Sequence, residues 1–77
     1  MSQYHMDLHG HWLYYDAEQY ETDRDVFDYL GTLDQSEIKT LFDAAYVDGA
    51  GEFQTVYGTD YQIVYDYSTK AYTLKKR

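Results

Sequence analysis

Eleven of the 77 residues are tyrosine and none is cysteine or proline, which restricts the chain to a small fold whose core is built from rings. A domain of this length buries only about 60% of its unfolded surface. No disulfide can compensate for that small core, whereas each packed aromatic side chain hides roughly 150–250 Å². Tyrosine suits such a fold because its hydroxyl can stay wet while its ring packs. The aromatic fraction of 19% also sets the chain apart from disordered acidic segments, which are poor in aromatics and rich in proline. The expectation is one folded domain spanning residues 1–77.

Hydrophobic periodicity then divides the chain. From Tyr4 to Tyr14 the even positions read Tyr4, Met6, Leu8, Gly10, Trp12 and Tyr14, and the odd ones His5, Asp7, His9 and His11. This period of two predicts a half-buried strand, with Gly10 marking a bulge or kink. Between Asp16 and Leu30 two helices fit the pattern. One is short, capped by Thr22, runs over Val26, Phe27 and Leu30 and stops at Gly31; the other is longer and capped by Asp16. The second half is helical in both.

Leu33 to Tyr46 gives the clearest signal. Asp34 and Glu37 are spaced as a capping box, Leu33 and Ile38 as a hydrophobic staple. Ile38, Leu41, Phe42, Ala45 and Tyr46 share one helical face, and Asp48-Gly49 ends the run. Strands follow at Phe53–Tyr57, Tyr61–Tyr67 and Ala71–Lys75, joined by three-residue connections of hairpin length. Tyr61, Ile63, Tyr65 and Tyr67 fall on one face of the middle strand. The predicted class is α+β: an antiparallel sheet of about four strands in β-α-α-β-β-β order with two helices on one face.

Charge is distributed unevenly. Residues 1–69 carry all fourteen carboxylates against only Arg24 and Lys39, while residues 70–77 add Lys70, Lys75, Lys76 and Arg77 without an acid. A basic end can pair with the body or keep a terminal strand soluble. The start MSQYHMDLHG has neither the basic residues nor the apolar run of a secretory signal. Together with the lack of cysteine this favours a reducing compartment, most simply the cytoplasm. No apolar run approaches the length of a membrane span.

Most chemistry-bearing patterns fail on spacing. His5, Asp7, His9 and His11 would share one side of a strand, where imidazoles at i and i+2 can hold a metal. The simpler alternative is the polar face of an edge strand, and the expectation is no metal and no cofactor. The segment Asp43–Glu52 lacks the oxygen ligands of a calcium loop at the required positions. Gly49-Ala50-Gly51 lacks the Lys-Ser/Thr of a phosphate loop. Three serines without a nucleophile-elbow context, no thiol and little room for a dry pocket argue against catalysis. Direct nucleic-acid binding is disfavoured because backbone affinity comes from lysine and arginine.

What remains is an acidic, tyrosine-bearing surface. Asp16, Glu18, Glu21, Asp23, Asp25 and Asp28 are six carboxylates in thirteen residues, and Asp34, Glu37, Asp43, Asp48 and Glu52 continue the series. Such a row can occupy a cationic groove built for phosphates, and its field speeds association. Tyr15, Tyr20, Tyr57, Tyr65 and Tyr67 are candidate anchors, since tyrosine brings rigid amphipathic area to interfaces. These features fit an inhibitor that docks on a partner protein with a basic surface, such as a nucleic-acid-binding protein or nuclease, in the manner of a DNA mimic. In general composition the chain is analogous to small acidic proteins with which phages and plasmids block host-defence enzymes. Two alternatives stand beside this. In one the acids only solubilise an aromatic-rich domain; in the other the chain is an assembly subunit that pairs with itself, a homodimer, through a strand edge or its tyrosine-bearing sheet face.

Overall fold

At His9-Gly10 the chain turns back on itself. Both residues have positive φ, 54° and 89°, the requirement of a type I′ turn, whose twist matches that of the flanking strands. The backbone N–H of Gly10 donates to Asp7 Oδ1 at 2.7 Å and holds the turn. The single N-terminal strand expected from alternation is therefore a hairpin of β1 (Gln3–Leu8) and β2 (His11–Asp16), with Leu8 opposite His11 and Met6 opposite Leu13. The computed structural model describes residues 3–77.

The stretch after Asp16 is two helices and matches neither alternative in full: the helix opened at Asp16 stops at Thr22, and Thr22 ends it instead of capping the next one. α1 (Ala17–Thr22) starts at Asp16, and α2 (Arg24–Thr32) follows a break at Asp23, where φ −118° and ψ 43° leave the helical region. Gly31 lies inside the last turn of α2 instead of ending it. α3 (Gln35–Asp48) begins with the expected capping box: the Glu37 N–H donates to Asp34 Oδ1 at 2.8 Å, and the Asp34 N–H to Glu37 Oε1 at 3.2 Å. It ends at Gly49, which is left-handed with φ 88°.

β3 (Ala50–Gln54) lies three residues earlier than expected. Thr55 N–H reaches Thr59 O and Gly58 N–H reaches Thr55 O, so residues 55–59 close a turn where a strand was predicted. Gly51 allows the early start. A Cβ there would stand 2.5 Å from the Leu41 carbonyl oxygen of α3, and helix and strand touch only because it is absent. β4 (Asp60–Asp66) and β5 (Ala71–Lys76) complete the sheet.

The strand order is β1-β2-β5-β4-β3. The α+β class holds, with five strands and three helices in place of four and two. The sheet is mixed and not purely antiparallel, because β2 runs parallel to β5, pairing Leu13 with Tyr72. Val26, Phe27, Leu30, Ile38, Phe42 and Ala45 of the helices close on Leu8, Leu13, Tyr61, Ile63 and Leu74 of the strands in one core. Register puts those strand residues on a single face, leaving the other face of the sheet without a helix. Among the described residues no helix is long and apolar enough to cross a membrane.

Candidate partner-binding surface

The eleven candidate carboxylates divide by what they touch. Asp25 turns inward from α2, and its two oxygens accept from Thr55 Oγ1 and Tyr61 Oη at 3.4 Å each. Asp23, at the break between α1 and α2, lies 3.6 Å from Lys76 Nζ. Together they tie the helices to β4, β5 and the loop after β3. Burial, followed by these two carboxylates, pushes the Tyr61 phenol up to about 12, so the site holds its proton and Tyr61 remains a donor.

Asp34 and Glu37 cap α3 and stay exposed. Asp43 pairs with Lys39 at 2.7 Å one turn away, and this holds the Lys39 ammonium above its ordinary range. Glu52, on the face of the sheet away from the helices, meets Arg77 Nη1 at 2.6 Å. Asp16, Glu18, Glu21, Asp28 and Asp48 are exposed and have no ion-pair partner among the described residues. Four of these five lie on α1, its cap and α2. Carboxylates three residues apart on a helix advance about 4.5 Å along its axis, comparable to the roughly 3.4 Å per phosphate along one DNA strand.

Aromatic side chains flank this acidic stretch. Tyr20 projects from α1, stacks on Tyr15 at 5.9 Å and leans on Phe27 at 5.2 Å, with the Arg24 guanidinium 5.3 Å from its ring. Tyr15 is half-buried and serves as packing beneath Tyr20. Val56 and Tyr57, at the tip of the loop after β3, are 80% and 79% exposed. With Asp25, Asp28, Tyr29 and Thr32 they line an open groove of 170 Å³. The structure thus brings Asp28 and Tyr57, 29 positions apart in the chain, to one groove.

The remaining candidate aromatics lie elsewhere. Tyr65 faces the helices and is enclosed by Tyr46, Tyr67 and Tyr72, with ring centroids 4.8–5.1 Å away. Tyr67, just beyond β4, is exposed and donates to the Tyr46 carbonyl at 2.9 Å. The sheet face expected to bear tyrosines is instead covered by helices at Tyr61, Tyr65 and Tyr72. The open face carries Tyr14 and Trp12, with Trp12 52% exposed and His5 stacked on it at 4.2 Å.

Val56, Tyr29 and Trp12 are the residues that sequence reasoning missed. Val56 could have been found as an apolar residue beside Tyr57 and Gly58 in a turn-forming Thr-Val-Tyr-Gly-Thr stretch. The histidine row is dispersed by the hairpin: His5 lies on Trp12, His9 reaches the Leu33 carbonyl at 3.2 Å, and His11 stacks on Phe42 at 4.8 Å. Among the described residues no group of three or more histidines and carboxylates is arranged to hold a metal. Comparison with protein-family models, with curated proteins and with solved structures returned no match.

Proposed function

We propose that this chain is a non-catalytic binding protein whose α1–α2 face docks on a basic, nucleic-acid-binding surface of a partner protein, such as a nuclease, and blocks it. The observation that carries this is the run Asp16, Glu18, Glu21 and Asp28, exposed, without an ion-pair partner among the described residues, and bordered by Tyr20 and Tyr57. Carboxylates supply long-range attraction and orientation. Exposed rings supply the desolvated contacts in which binding energy concentrates. Two cations lie nearby, Arg24 over the Tyr20 ring and Lys76 beside Asp23, and the four exposed carboxylates outnumber them. A cytoplasmic setting fits a fold held together entirely by non-covalent packing.

The test is capture on the immobilised protein from cell lysate, eluted in salt steps, beside a Glu18→Gln/Glu21→Gln/Asp28→Asn variant. Exposed pairs contribute about 0.2–1 kcal/mol each, so the triple variant should bind about tenfold more weakly. The captured protein should be basic and should elute early as counterions screen the contact. An acidic partner, or retention unchanged by salt, would falsify the proposal.

A further inference from the structure

Among the described residues nothing pairs with the outer edge of β1, and that edge has a readable polarity. The type I′ turn makes Leu8 and His11 a hydrogen-bonded pair, and antiparallel ladders alternate such pairs with non-bonded ones. The backbone groups of Leu8, Met6 and Tyr4 therefore face β2, and those of Gln3, His5 and Asp7 face outward. Natural edges are commonly blunted by lysine, proline, bulges or a covering element. The sequence Gln-Tyr-His-Met-Asp-Leu of β1 has no lysine or proline, and its one charged side chain, Asp7, is engaged by the Gly10 N–H.

We propose that β1 is a dimer edge, pairing antiparallel with β1 of a second copy about a two-fold axis at Met6, to make one continuous sheet of ten strands. Four registers, centred on Tyr4, His5, Met6 or Asp7, bring outward backbone groups together while keeping the helices of both copies on one side. Centring on Tyr4 brings no opposite charges together. Centring on His5 sets imidazole against imidazole, and centring on Asp7 sets carboxylate against carboxylate, which is unfavourable. Centring on Met6 places His5 opposite the partner's Asp7 twice. It also places Tyr4, half exposed on the core side, opposite the partner's Leu8.

The side chains suit that register. His5 is held over the open face by its stack on Trp12. Asp7 uses Oδ1 for the Gly10 N–H, leaving Oδ2 for the imidazole across the axis. The other sheet edge offers no such match. The bonds Thr55 N–H to Thr59 O and Tyr65 N–H to Gly49 O set the phase of β3, so Ala50, Glu52 and Gln54 face outward, with carboxylate the only charge. The dimer and the basic-partner reading are independent, since β1 carries none of the carboxylates of α1 and α2.

The chain has no cysteine, so a single introduced thiol reports the register. At the two-fold axis the Met6 Cα atoms stand about 4.5 Å apart, within disulfide range, whereas the Tyr4 Cα atoms stand about 14 Å apart. Under mild oxidation Met6→Cys should become a covalent dimer and Tyr4→Cys should not. Sedimentation velocity of the unmodified protein should show a monomer–dimer equilibrium. His5→Glu should weaken it about tenfold by setting carboxylates opposite each other, and His5→Glu/Asp7→Lys should restore it by reversing each pair. A monomer at every concentration, equal cross-linking of the two cysteine variants, or a His5→Glu dimer as strong as the original would each overturn the proposal.

Discussion

Single side chains join the helical layer to the sheet, and Tyr61 shows how. Its ring is fully buried, and its hydroxyl donates to Asp25. Its phenol titrates at about 12 in the fold and near 10 when unfolded. Because the folded value is the higher one, the stability gained by holding this proton is complete below pH ~10 and drains as pH rises toward ~12. Tyr15 and Tyr72, also raised chiefly by burial, act in the same direction. Urea unfolding midpoints should fall across that window, less steeply in Tyr61→Phe, which should lose about 0.5–1.5 kcal/mol at neutral pH. Gly51 is a second junction. Gly51→Ala sets a methyl 2.5 Å from a backbone oxygen of α3 that cannot swing aside; a loss of about 1–3 kcal/mol in the same assay is expected. Neither role was visible in the sequence, where Tyr61 was one ring among many and Gly51 only part of Gly49-Ala50-Gly51.

Elements were legible where their signals are local. The capping box at Asp34 and the left-handed stop at Gly49 bracket α3 as predicted, since both depend on residues within one turn. Asp34→Ala should lower stability by about 0.5–2 kcal/mol, measurable by thermal unfolding followed by circular dichroism. The hairpin was hidden for a physical reason. A two-residue turn shifts the inward face from even to odd positions, and Trp12-Leu13-Tyr14-Tyr15 is apolar in either phase. His-Gly also lacks the Asn-Gly or Asp-Gly signature of a type I′ turn. Misplacing that turn put the histidines in one row and left Trp12 facing the core, when it faces outward. The parallel pairing of β2 with β5 joins segments more than fifty residues apart. Local periodicity carries no information about such a contact.

At the scale of the whole molecule, composition announced the acidic surface but not its division of labour. Asp23 and Asp25 are structural, Asp43 and Glu52 are paired, Asp34, Glu37 and Asp48 lie on α3 and its cap, and Asp16, Glu18, Glu21 and Asp28 lie on α1, its cap and α2, near Tyr20 and the Tyr57 groove. Only folding shows that Asp28 and Tyr57 share a wall. A surface of this charge is expected to replace phosphates, so the protein and duplex DNA should exclude each other from a common partner. The most direct measurement is a competition titration. The captured partner is bound to labelled duplex DNA, this protein is added, and the free DNA is followed by fluorescence anisotropy. Full displacement of DNA by the unmodified protein is predicted, with the Glu18→Gln/Glu21→Gln/Asp28→Asn variant needing about tenfold more. A ternary complex, in which DNA stays bound at saturating protein, would contradict it.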